Sequence, residues 1–313
     1  PPPDRRPGKG MASAAPEQAE GQGAAAEPGG AEKDFWEIEE KDIELMSLLG
    51  EGTTSIVYMA KLHGEVVCVK EIKGLQDNGF SPTVQQAVLR ELRVLLRVNH
   101  PNILRFIGLV DESTPLRLVL EYCSGGSLFE LLHNCWSIPL SWVQRMKVLK
   151  DTSSALNYLH CFDPPIVHRD LKSLNLMLFE AVRDDVTIPV TKLADFGLAR
   201  VQERAMTQGV GTKHWMAPEV LLGTDYTEKA DIFSFAMVAY EVVCRHVPFE
   251  RLDPTSVAKF TKAGRRPDLQ DESIVPKEVP PSLLALIVQC WDQQPLNRPS
   301  FGEILATVEE ISA

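Results

Sequence analysis

The chain has 313 residues, 44% hydrophobic and 24% charged, with a formal net charge of −11. This is ordinary globular composition with length for about two lobes. The acidic balance argues against a general nucleic-acid binder, which would carry a basic patch, so no nucleic-acid partner is expected.

Residues 1–34 are rich in Pro, Gly, Ala and Glu, with no aromatic residue and no apolar periodicity. Such a segment buries too little to offset ordering entropy and is expected to be a disordered tail. The first residue is Pro and Met11 is internal, which is compatible with a fragment of a longer protein. No secretory leader is visible at this polar start. Ile232–Cys244, interrupted by Glu241, is the longest apolar run; it is too short to span a bilayer and reads as a buried core helix. The six cysteines include no C-x-x-C pair, and reduced, often buried thiols in a cytoplasmic protein are expected.

Structure is expected to begin near Phe35–Trp36. Ile43–Leu45 leads into Leu48-Leu49-Gly50-Glu51-Gly52-Thr-Thr-Ser55-Ile-Val57, a glycine-bearing turn between apolar segments. Glycine there lets a backbone approach phosphates closely. A dinucleotide-binding start would need a third glycine and a helix; instead a second strand follows, Val66–Ile72. It carries Cys68 and Lys70 among apolar neighbours, and the bland alternative for Lys70 is a solvated strand lysine. Residues 84–98 have apolar positions at helical spacing, interrupted by Glu91, whose bland alternative is a surface charge. Strands follow at Phe106–Val110 and Arg117–Glu121, and Gly125–Gly126 reads as a flexible hinge. Residues 128–133, 141–160, 283–292 and 301–312 read as helices.

The stretch from Ile166 to Leu178 reads as two short buried strands, Ile166–Val167 and Leu176–Leu178, flanking a polar turn. Asp170 there suits a proton acceptor and Lys172 a phosphate-neutralising cation. Asn175 and, twenty residues on, Asp195 are hard oxygen ligands suited to Mg²⁺. Together these parts match phosphoryl transfer. The bland alternative is a polar turn in an unrelated α/β protein. Val182–Thr191 reads as a solvated, extended hairpin.

His168-Arg169-Asp170-Leu-Lys172-Ser-Leu-Asn175, followed by Asp195-Phe196-Gly197, resembles the catalytic and metal-binding loops of eukaryotic protein kinases. The resemblance covers roughly residues 40–312. It implies an α+β, bilobal protein kinase fold, with a small β-rich N-lobe (35–122) holding one key helix and a larger, mainly helical C-lobe (123–313). The one kinase domain would span about 43–312. It implies a protein serine/threonine kinase that takes ATP with Mg²⁺, or Mn²⁺ in its place, and a protein substrate.

The same resemblance carries roles onto matching residues. Lys70, held by Glu91, would grip the α- and β-phosphates under the loop of Gly50, Glu51, Gly52, Ser55 and Val57. Ser55 stands where the family has its third glycine, and Cys68 where it usually has alanine over the adenine. Leu120 would be the gatekeeper, Glu121 and Cys123 the backbone partners of adenine, and Met177 the residue beneath it. His168, Phe196, Gly197 and Asp231 would shape the catalytic loop, and Thr212 would bridge Asp170 and Lys172. Glu219, in Trp215-Met-Ala-Pro-Glu219, would form a buried pair with Arg298.

Lys172 and Gly211–Thr212 point to Ser/Thr specificity, whereas His168–Asn175, Trp215-Met-Ala-Pro-Glu219, Gly264-Arg-Arg-Pro267 and Cys290-Trp291 with Arg298-Pro-Ser300-Phe are similar to the tyrosine-kinase-like group, which includes mixed-lineage and Raf-like Ser/Thr kinases. Arg169 beside Asp170 implies regulation by a phosphate on the activation segment, where Thr207 is the only hydroxyl between Gly197 and Gly211. An upstream activating kinase or self-association would supply it. The alternative is a pseudokinase scaffold; Lys70, Asp170 and Asp195 are all present.

Overall fold

The computed structural model describes residues 37–52, 55–73, 92, 94–110, 115–195 and 212–312. The expected tail, the start at Phe35–Trp36, Glu91 with most of its helix, Phe196, Gly197 and Thr207 lie outside the described residues.

A five-stranded antiparallel sheet forms the first part, in the order β1-β2-β3-β5-β4. Its strands are β1 (Ile43–Glu51), β2 (Ser55–Leu62), β3 (Glu65–Ile72), β4 (Phe106–Val110) and β5 (Arg117–Glu121). His63 and Gly64, at φ 51° and 89°, close the β2–β3 hairpin, the two left-handed residues that suit the strand twist. Alternation then sorts side chains by face. Val67 and Val69 pack with Ala60, Val110 and Val119 under Ile38 and Ile43, forming a small core of their own. Lys70 is buried in its strand between Val69 and Glu71, with an alternation that sets it opposite this core.

The second part is helical: α1 (Leu128–His133), α2 (Trp142–His160), α3 (Pro218–Leu222), α4 (Lys229–Cys244), α5 (Pro254–Lys262), α6 (Pro281–Cys290) and α7 (Phe301–Ser312). Ser127 with Glu130, and Ser141 with Gln144, form capping boxes that start α1 and α2. Helix α4 is buried from Ala230 through Cys244, as the apolar run predicts, and begins three residues earlier than that run. The large core gathers round it. Among the described residues no helix is long and apolar enough to cross a membrane.

Two expectations need correction. Ile166–Val167 is not a strand, because its own donor and the next one along are used elsewhere: Ile166 N bonds Leu159 O at the end of α2, and His168 N bonds the Asp231 carboxylate. The partner of β6 (Leu176–Leu178) is instead β7 (Thr191–Leu193), in the register Leu176↔Leu193. The connection between them is long and largely exposed, as its composition predicts. Asp184 Oδ1 accepts from Thr187 N and Oγ1, both at 2.7 Å, and makes a tight turn. Gln144 Nε2 donates to Asp184 O and Thr187 O (2.7 and 2.8 Å), docking that turn on the start of α2.

Gly125 and Gly126 are not a loose hinge. A Cβ on Gly125 would collide with the Glu180 carbonyl, and Gly126 has φ 70°, so tight packing and backbone conformation require glycine. The thiols divide evenly: Cys123, Cys244 and Cys290 are buried, Cys68 and Cys135 half-buried, and Cys161 exposed.

Candidate active site

The β6–β7 pairing brings two distant oxygen ligands together. Leu176↔Leu193 sets Asn175 beside Ala194, whose N bonds Asn175 O at 2.9 Å, and Asp195 follows directly. His168 Nε2 lies 3.0 Å from Ala194 O and ties the same corner to the loop of Asp170. Asp195 and Arg169 both adopt left-handed backbone, at φ 63° and 72°, uncommon for residues other than glycine and frequent at functional sites.

Asp170 is buried. Its Oδ2 accepts from Lys172 Nζ at 2.7 Å and Asn175 Nδ2 at 2.9 Å. The 3-10 turn Ser173–Asn175 folds Asn175 back so that Nδ2 also reaches Asp170 O. Asp170 Oδ1 is buried with no hydrogen-bond partner among the described residues. A buried acceptor left open is expensive unless something fills it. Asp231 holds the loop from below: its carboxylate accepts His168 N (2.8 Å), Arg169 N (2.9 Å) and His160 Nε2 (2.9 Å).

Lys70 reaches from β3 to ion-pair with Asp195. The adjacent Lys70 ammonium holds the Asp195 carboxyl below the usual carboxylate range. Glu91, expected to hold Lys70, lies outside the described residues, as does the side chain of Thr212.

The glycine turn is open. A Cβ on Gly50 meets nothing within 4 Å, and one on Gly52 meets Ser55 O only at 3.6 Å; neither residue is in the left-handed region. Among the described residues no neighbour requires glycine here, whereas a ligand pressed against the backbone would. Gly52 N bonds Ser55 O at 2.8 Å, and Lys73 Nζ bonds Glu51 Oε1 (2.5 Å) and Gly52 O (2.8 Å). Lys73 was not anticipated. Val57 and Cys68 on the sheet, and Met177 on β6, are half-buried; Leu120 is buried. Burial pushes the Cys68 thiol up to about 11 and that of Cys123 up to about 12.

Glu121 is paired by Lys192 Nζ at 2.9 Å, a partner no sequence pattern flagged. Glu219 and Arg298 form a two-pronged ion pair at 2.6 and 2.9 Å, and the Arg298 side chain is fully buried. Sequence reasoning also gave no role to Glu241, although an acid inside an apolar run signals buried partners.

Residues 43–308 match the family described as Protein kinase domain. The chain is 35% identical to the probable serine/threonine-protein kinase drkC of Dictyostelium discoideum, over 87% of this chain and 35% of that protein. It is 34% identical to the serine/threonine-protein kinase CTR1 of Arabidopsis thaliana, over 88% and 32%. It is 35% identical to mitogen-activated protein kinase kinase kinase 7 of Homo sapiens, over 87% and 42%. The chain thus spans less than half the length of these relatives. They are Ser/Thr kinases that include members of the tyrosine-kinase-like group, as the motifs imply. The family uses ATP with a divalent metal. The antiparallel sheet, the helical region and the family match agree: this chain belongs to the protein kinase domain family.

Proposed function

We propose that this chain transfers the γ-phosphoryl group of ATP to Ser/Thr hydroxyls of a protein substrate. The observation that carries the reading is Asp170: one carboxylate oxygen is clasped by Lys172 and Asn175, and the other is buried and open. That oxygen is the acceptor for the substrate hydroxyl. It orients the nucleophile and takes its proton, while Lys172 stays close enough to neutralise the transferring group. Lys70 binds the α- and β-phosphates with support from Glu91, and the turn from Gly50 to Val57 covers them.

The donor set fits Mg²⁺, with Mn²⁺ as a substitute. Asn175 commits its Nδ2 to Asp170, which leaves Oδ1 for a cation, and Asp195 supplies a carboxylate kept ionised. Bound there with the nucleotide, the metal supplies charge neutralisation for the phosphates.

The site divides the domain into lobes near Tyr122–Cys123, and adenine lies between Cys68 and Met177 against the backbone of Glu121 and Cys123. Phosphorylation of Thr207, by an upstream kinase or a second copy, would draw Arg169, whose guanidinium now lies 5.9 Å from the Tyr226 ring centre. Phe196, Gly197 and Thr212 complete the segment. One relative's name places it in a mitogen-activated protein kinase cascade, and we read this chain as a cytoplasmic signalling kinase of that kind.

The test is transfer from labelled ATP to a generic Ser/Thr substrate, wild type beside Asp170→Asn, with modified sites mapped. Loss of about 10²–10⁴-fold in the variant is expected. Equal turnover in the variant would overturn Asp170 as the acceptor, and no transfer by either protein despite Mg-ATP binding would replace the reading with a scaffold.

A further inference from the structure

Helix α4 holds the site through three side chains on one side of its surface. Asp231 clamps the backbone of His168 and Arg169. One turn on, Ser234 Oγ donates to Trp215 O at 2.8 Å. Further along, Glu241 is fully buried in a run of otherwise apolar residues.

Three donors converge on the Glu241 carboxylate from three separate segments. Ser173 Oγ reaches Oε1 at 2.7 Å from the turn that folds Asn175 onto Asp170. His133 Nε2 reaches the same oxygen at 2.9 Å from the end of α1. Trp215 Nε1 donates to Oε2 at 2.5 Å from the segment that follows Thr212. A buried carboxylate with no lysine or arginine on it among the described residues depends on all three donors. Packing alone would be served by another apolar residue, as at its neighbours Val242 and Val243.

We propose that Glu241 is a positioning residue for phosphoryl transfer. Its two oxygens join the turn carrying Asn175 to the wall on which the substrate segment docks, so that the acceptor Asp170 and the incoming hydroxyl share one frame. This rests on the reading of Asp170 as the acceptor. The chemistry of the three donors separates two substitutions. Ser173 and His133 can switch from donating to accepting, but the indole N–H of Trp215 cannot. Glu241→Gln therefore fits, with its oxygen toward Trp215 and its amide toward the other two. Glu241→Leu strands all three.

The experiment measures kcat and KM for a peptide and for ATP in wild type, Glu241→Gln, Glu241→Leu, Ser173→Ala and Trp215→Phe. Active protein is counted by stoichiometric Mg-ATP binding. Ser173→Ala should lower kcat about tenfold, because it loosens the turn beside Asp170. Its two KM values should stay within about twofold. Trp215→Phe should act chiefly on the peptide KM. Glu241→Leu should combine both losses, and Glu241→Gln should recover most of them. The proposal is overturned if Ser173→Ala and Trp215→Phe leave every constant within about twofold of wild type. It is also overturned if their losses follow the folded fraction alone, and both variants serve this purpose even if Glu241→Leu does not fold. Absence of transfer by the wild type would overturn the kinase reading itself.

Discussion

The two walls of the nucleotide cleft are built differently. On the helical side, Asp170, Asn175 and Asp231 are buried, and every loop residue from His168 to Asn175 except Leu171 and Leu174 has a hydrogen-bond or ring contact that fixes it. On the sheet side, Leu48 and Leu49 of β1 are exposed, and the glycine turn is held by Gly52–Ser55 and Lys73. The first wall is finished before any ligand arrives. The second has room left in it. Charge transfer demands fixed groups, whereas a cover that must admit and release nucleotide cannot be tightly packed.

That contrast can be broken by substitution. The largest effect belongs to the buried frame of the helical side. Arg298→Ala strands Glu219 and should remove about 3–5 kcal/mol of stability, read from urea unfolding. A loss below about 1 kcal/mol would mean that the pair is not part of the frame.

On the open wall, Gly50→Val should raise the ATP KM by about tenfold while leaving unliganded stability within about 0.5 kcal/mol. Unfolding without a change in KM would show that the turn is structural and not a phosphate cover.

Lys70 joins the two walls, and pH reads the join. The folded Asp195 carboxyl sits below its unfolded value near 3.8, so the pair adds stability above that value and loses it as pH falls through the folded value. Lys70→Met removes that contribution. Thermal unfolding from pH 7 to pH 3 should show the wild-type acid limb converging on that of the variant at the low end. Parallel curves would refute the coupling.

The smallest effect is chemical. With its thiol pushed up to about 11, Cys68 stays protonated at neutral pH. Iodoacetamide mapped by mass spectrometry should label exposed Cys161 first and Cys68 slowly, with a rate that climbs toward alkaline pH. Fast labelling of Cys68 at pH 7 would mean that the sheet wall opens further than its packing implies.

The sequence made the helical wall more legible than its supports. Asp170, Lys172 and Asn175 fall within six consecutive residues, so their meeting needs only one turn. Strands β2 and β3 and helix α4 show their periods directly. Lys70 and Asp195 are 125 positions apart, and Lys192 meets Glu121 through a strand pairing that no local pattern announces. Glu241 stood out by polarity, but its donors come from 26, 68 and 108 residues away. Ile166–Val167 misled because two apolar residues are too few to carry a period. Gly125–Gly126 misled because glycine marks close packing as readily as freedom.

The turn docked on α2 has a practical consequence. Its ends are fixed by β6–β7 pairing and by Gln144, yet Val186 at its tip is 74% exposed. Added chain at such a tip raises loop-closure entropy only slowly. Chain spliced there would still break the Asp184–Thr187 bonds, so a fluorescent reporter carried on Val186→Cys is the better choice: it would ride on the domain's surface and leave both the turn and the register that brings Asn175 to Asp195 undisturbed.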